Sequence, residues 1–331
     1  MDLDAYASAH RQEWDRLEHL ASRRSLTGAE ADELIDRYQS AAAQLSAIKT
    51  SAGSTAYGDR LSVAISRARL CFTGAAANPL QAVPRFFALQ LPAALYRLRW
   101  ITLGVAVATL VIGGLFAWWA LSDPQVMANF GSRTDLRKLV DHDFVDYYSE
   151  NPAASFTGQV WTNNAWISAQ AIAFGILGVY VPYIVFQNAM NVGVTGAVMF
   201  AYGRGDVFFS YITPHGLLEL TSVFVACAAG LRIFWAWIAP GPRTRSQALA
   251  EDGRALFTVV IGLILSLFVS GMIEGFVTPS ALPVWAKIGI GAVALAAFLF
   301  YMLFVGSRAA RSGETGDLAE FEAGARRLIA A

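Results

Sequence analysis

The sequence predicts an all-α, polytopic membrane protein with about six transmembrane helices behind an N-terminal helical region. Three observations predict it. The 331 residues are 55% hydrophobic and only 15% charged, with a mean hydropathy of +0.44, whereas a soluble domain is typically about 25% charged. The shortage of charge is concentrated in the last two-thirds, where apolar runs long enough to span a bilayer follow one another. The basic residues recur between those runs in a pattern that fits one topology. Lys plus Arg and Asp plus Glu both total 25, and no basic run carries interleaved aromatics, so nucleic acid is not an expected partner.

The first 99 residues read as a cytoplasmic helical region ending in an interfacial segment. Leu3, Tyr6, Trp14, Leu17 and Leu20 fall at helical spacing with acids and bases between them. Thr27 with Glu30 three residues on has the form of a capping box opening a second helix. Leu34, Ile35, Tyr38, Leu45 and Ile48 continue its stripe, and a third helix is expected from about Ala56 to Phe72. The segment has no short apolar core and no small-residue cleavage site, so it is not read as a signal peptide. Asn78-Pro79 and Pro84 then punctuate the chain. The aromatics and Arg85, Arg97 and Arg99 that follow lead into the membrane.

Within the membrane domain, residues 100–306, six apolar runs are expected: Ile101–Leu121, Asn164–Phe186, a short glycine-rich run Ala189–Tyr202, Leu217–Ile238, Ala255–Val277 and Val284–Val305. Six spans put Arg97 and Arg99, Arg243, Arg245 and Arg254, and Arg308 and Arg311 on one side, the cytoplasm. Both termini, including the tail 307–331, are then expected on the cytoplasmic side of the cell membrane. The acid-leaning stretch Ser122–Thr162 falls outside. Counting Ala189–Tyr202 as re-entrant instead leaves five spans and separates Arg99 from Arg308.

That topology gathers Asn163, Asn164, His215, Glu219 and Glu274 at the outer level of the membrane. His215 and Glu219 share a helical face. Ionised carboxylates at such depth cost roughly 3 kcal/mol by insertion scales and need partners. Three readings are open. The polar groups can lock helix ends together, with Thr213 capping a helix that starts at Pro214. They can serve an ion- or proton-coupled transporter. Or His215, Glu219 and Glu274 can hold a metal ion in an intramembrane hydrolase. The first is favoured, with no cofactor and no catalytic residue assigned. Asp141-His142-Asp143 is a weaker metal patch, better read as a solvated acidic stretch. Arg232 and Lys287 are expected to snorkel to opposite interfaces. Cys71 and Cys227 are not expected to pair.

Trp161-Thr-Asn-Asn164, Gly175, Gly178, Asn188, Pro214-His-Gly216, Glu219, Gly230 and Glu274-Gly-Phe-Val-Thr-Pro279 together resemble the stage II sporulation protein M family, in its longer, non-sporulation form. Asn188-Ala and Asn191-Val depart from the Asn-Gly usual there. The resemblance implies a membrane scaffold that holds other membrane or cell-envelope proteins, among them an RDD-type membrane protein or a MoxR-type ATPase. It implies no catalytic residue. Small residues in the short third run would also allow a homodimer.

Overall fold

The computed structural model describes residues 3–23, 26–52, 55–72, 83–148 and 152–317. The Asn78-Pro79 punctuation and the tail beyond residue 317 lie outside them. The structure is 88% helical and, among the described residues, has no strand. It divides into two compact units, one built from the first 82 residues and one from Val83–Leu318.

In the first unit, α1 (Leu3–Ser22), α2 (Gly28–Ala52) and α3 (Ala56–Phe72) pack pairwise. The capping box forms: Thr27 N and Oγ1 donate to Glu30 Oε2 at 2.9 and 3.0 Å, and Glu30 N donates back to Thr27 Oγ1 at 3.4 Å. Trp14, Leu17, Leu20, Leu34, Ile48, Leu61 and Ala68 make the core. Ile35, grouped with the apolar stripe, faces out at 41% exposure. It lies next to Leu34, about 100° round the helix, so only one of the two can point inward. Trp14 Nε1 donates to Gln44 Oε1 at 2.6 Å. The surface is tied by ion pairs: Glu33 accepts from Arg16 and Arg37 at 2.7 Å each.

The second unit holds the long helices α4 (Val83–Ser122), α6 (Tyr180–Ala201), α7 (Gly205–Ile238), α8 (Arg245–Val277) and α9 (Val284–Arg311). All five are long and apolar enough to cross a membrane. α5 (Ala153–Ala173) is a sixth helix of 21 residues, but Gln159, Thr162, Asn163, Asn164, Ser168 and Gln170 make it more polar than the others. Successive helices run in alternating directions, shown by which ends touch. Arg97 of α4 meets Asp252 at the start of α8, and His215 near the start of α7 meets Glu274 near the end of α8. α7 is the hub: it packs against α4, α5, α6, α8 and α9. Its middle, Val225 to Ala229, is almost wholly buried. Small side chains there allow neighbouring backbones to approach closely.

Three expectations are corrected. The run Asn164–Phe186 is not one span. α5 ends at Ala173, and a 3-10 turn, Gly175–Leu177, leads into α6. Gly178 has φ +74°, a left-handed conformation that costs glycine nothing. The turn is Gly-Ile-Leu-Gly, as apolar as a helix, so hydropathy does not register it. Asn188 and Asn191 therefore lie within α6, and Asn188 Nδ2 donates to Ile184 O at 2.9 Å within its own helix. Second, α7 starts at Gly205, so Pro214 lies inside it, and Thr213 caps nothing. Third, the loop after α4 is a packed cap. After the short helices Pro124–Ala128 and Arg133–Lys138, the turns over 139–148 continue the cap, and Leu136, Val140, Phe144 and Tyr148 pack against Phe156, Val198, Met199 and Phe208.

At the end of the bundle opposite His215, Asp252 is 3% exposed. It meets Arg232 Nη2 at 3.3 Å, Arg243 Nη2 at 3.3 Å and Arg97 Nη2 at 3.9 Å. Arg232 thus turns inward to a partner and does not snorkel alone. The segment after α9 is clasped there too. Arg254 donates to both Asp317 oxygens at 2.6 and 2.9 Å, Thr258 Oγ1 to Gly316 O at 2.9 Å, and Arg97 Nη1 to Thr315 O at 2.9 Å.

Two outcomes are expected. A Cβ on Gly230 would lie 2.2 Å from Ala171 O, whereas one on Gly104 meets nothing within 4 Å. Overpacking of this kind costs about 1–3 kcal/mol. Gly230→Ala is therefore expected to lower the melting midpoint in detergent by scanning fluorimetry, with Gly104→Ala as the neutral control. In the first unit, hydrogen bonds from Arg16 and then Arg37 pull the Glu33 carboxyl from 4.5 down to about 2. Its folded-state value is below its unfolded one, so its contribution is present above pH 4.5 and fades as pH falls toward 2. Hydrogen exchange should show weaker amide protection of α2 in Glu33→Gln near neutral pH. The variant and the parent should converge in acid.

Candidate functional site

The site lies where α7 and α8 cross. On α7, His215 and Glu219 are one turn apart and face the same way. On α8, the last turn widens into a π turn, Ile273–Val277. π turns insert an extra residue, re-aim side chains and recur at functional positions. This one puts Glu274 inward, 4% exposed, beside His215, also 4% exposed. One ligand atom from each of His215, Glu219 and Glu274 lies within 4.8 Å of the other two. Among the described residues this is the group of three that could hold a metal ion.

Hydrogen bonds fix the imidazole. Thr278 Oγ1 donates to Ile273 O at 3.3 Å. His215 Nδ1 lies 3.3 Å from the same hydroxyl, and with the hydroxyl proton on Ile273 O, Nδ1 would be the donor. Nε2 then carries the lone pair and points at Glu274 Oε1, 3.8 Å away, too far for a hydrogen bond. Glu274 Oε2 is buried with no hydrogen-bond partner. Ser270 Oγ lies 3.1 Å from His215 O and 3.4 Å from Glu219 Oε2. Tyr148 of the cap tilts over His215, ring centroids 5.8 Å apart.

Of the five residues singled out from sequence, four meet. Asn164 on α5 lies against Glu219. Asn163 is exposed, because consecutive residues on a helix point about 100° apart. Lys287, expected to snorkel outward, is 9% exposed and turned inward. Its Nζ donates to Thr278 O at 2.7 Å and lies 5.8 Å from the Tyr211 ring. Gly291 lets α9 approach, since a Cβ there would be 2.0 Å from Pro214 O. The Asp141-His142-Asp143 patch does not form: all three are exposed on a π turn, and Asp143 pairs with Lys138 at 3.6 Å. Cys71 and Cys227 are both free. Sequence reading passed over Ser270 and met Thr278 only as part of the string Glu274–Pro279, with no role at the cluster. Their spacing from Glu274, four residues either side, is the signal that could have found them.

A family model, Stage II sporulation protein M, matches residues 106–279, more than half of the chain and every residue of the cluster. The chain belongs to the stage II sporulation protein M family. A second model, Domain of unknown function (DUF8413), matches residues 4–74, the three-helix unit. No curated protein and no solved structure matches the chain. This family member is therefore a multi-pass membrane protein, and the His215 cluster falls inside the part its family model covers.

The cluster acts as a unit, which gives a test. His215→Ala and Glu274→Ala are each expected to lower the melting midpoint and the folded yield in detergent. The double variant should lose less than their sum, by about 0.5–3 kcal/mol, the size of coupling between contacting residues. Asn163→Ala should change little, since exposed substitutions stay within about 0.5 kcal/mol.

Proposed function

We propose that this protein is an integral membrane scaffold of the cell envelope. The membrane unit provides a rigid platform, and the three-helix unit provides a docking surface on the cytoplasmic side. The reading is carried by one observation: a polar cluster at each end of the bundle joins different long helices. His215, Glu219, Ser270, Glu274, Thr278 and Lys287 join α7, α8 and α9 at one end. Arg97, Arg232, Arg243 and Asp252 join α4, α7 and α8 at the other. A bundle tied at both ends holds its shape and can present its surfaces to partners.

The charge distribution supports the orientation. Arg85, Arg97, Arg99, Arg243, Arg245, Arg254, Arg308 and Arg311 lie toward the Asp252 end. Asp123, Asp135, Asp141, Asp143 and Asp146 belong to the cap at the other. By the positive-inside rule the arginine end faces the cytoplasm. Partners of the expected kind are an RDD-type membrane protein, reached through the outward faces of the long helices, and a MoxR-type ATPase, reached through α1–α3. A second copy of the chain is a further candidate.

Cross-linking mass spectrometry on native membranes tests this. Tagged full-length protein is expected to capture membrane or envelope proteins of these kinds. Removal of residues 3–72 should abolish the soluble partner's cross-links and leave those of the membrane partner. Solute or proton flux in liposomes that Glu274→Gln abolishes, with no enriched partner in membranes, would overturn the scaffold reading in favour of a transporter.

A further inference from the structure

We propose that His215 Nε2, Glu219 and Glu274 bind one divalent transition-metal ion of the zinc class, with one coordination position left for water or an exogenous ligand. The proposal goes beyond the scaffold reading and does not rest on it.

Three independent observations carry it. The first is the pairing of acceptors. The Nε2 lone pair faces Glu274 Oε1 at 3.8 Å. With Nδ1 directed at the Thr278 hydroxyl, Nε2 and Glu274 Oε1 are left facing each other with a proton or a metal ion to share. Two acceptors facing each other in a buried site repel unless a proton or a metal ion lies between them, and the experiment below separates the two. The second is Glu274 Oε2, buried and without a hydrogen-bond partner on a side chain that is 5% exposed. A buried carboxylate oxygen left without a donor is costly, and a metal bond satisfies it. The third is charge. Deprotonated for metal binding, two carboxylates and a neutral imidazole carry −2, which one divalent ion cancels in a low-dielectric setting where net charge is most expensive.

Geometry and ligand type narrow the ion. Tetrahedral zinc with bonds of about 2.0–2.1 Å sets its ligands roughly 3.3–3.4 Å apart. The 3.8 Å edge is close to that, and the three ligand atoms all lie within 4.8 Å of one another. An imidazole among the ligands disfavours Ca2+ and Mg2+, which take oxygens. The surroundings match what metal sites use to orient ligands: a hydroxyl on the distal imidazole nitrogen, and Ser270 and Asn164 against Glu219. The metal joins α7 to α8 where the π turn delivers Glu274. Tyr148 over His215 lets the cap cover the remaining position.

The experiment uses full-length protein in detergent, stripped with a chelator and titrated with Zn2+ and, separately, Co2+. Expected are one equivalent of Zn2+ per chain, a raised melting midpoint, and for Co2+ the intense visible bands of a four- or five-coordinate site. His215→Ala and Glu274→Gln should abolish all three. His142→Ala should keep them, which separates the site from surface binding. Thr278→Val, which leaves every ligand in place, should weaken affinity about 10–100-fold. Wild-type protein that takes up no stoichiometric ion overturns the proposal. So does binding that survives Glu274→Gln. So does a Glu274→Gln variant as stable without metal as the parent is with it, because the carboxyl then holds only a proton. Each of these outcomes is independent of whether partners are captured in membranes.

Discussion

A carboxylate placed among membrane-length helices has no water to satisfy it, and the architecture of the second unit follows from that constraint. Around Glu219 and Glu274, α5 brings Asn164, α7 brings His215, α8 brings Ser270 and Thr278, and α9 brings Lys287 to the same level. Each of those helices is therefore fixed in rotation as well as position. Packing alone would leave more freedom, since apolar side chains in lipid gain little from choosing one neighbour over another. Small residues supply the close approach, and the polar groups supply the register.

The same logic operates at the other end with opposite chemistry. A single buried carboxylate, Asp252, gathers guanidinium groups from α4, α7 and the turn before α8. Arginine suits this role, because its planar fork carries several donors and sheds water at lower cost than an ammonium. The bundle thus has an acid-rich core of contacts at one end and an arginine-rich one at the other. α7 runs between them through a stripe of alanine and glycine.

Much of this was legible in the sequence. Long apolar runs, the arginine spacing and the capping box at Thr27 follow from local patterns, and each depends on residues close in the chain. His215, Glu219 and Glu274 could be grouped because topology alone sets their depth. The turn at Gly175–Gly178 could not be read, because its residues are as apolar as those of a span and only the backbone φ of Gly178 marks it. Asn163 and Asn164 looked equivalent as a pair, and only the helical phase separates them. Pro214 read as a helix start because proline usually is one. Here the helix extends over two turns further back. Lys287 and Arg232 were assigned to interfaces because long basic side chains generally reach water. Their real partners, Thr278 O and Asp252, lie on other helices and leave no mark in the local sequence.

The clasp formed by residues 315–317 fixes an order of events during synthesis. Arg254, Thr258 and Arg97 find their partners in the last described stretch of the chain, well after α4 and α8 have been made. Those contacts cannot form while α9 is still emerging, so they are among the last that this unit can make. The arginine end of the unit is therefore completed only once the turn past Arg311 has been made.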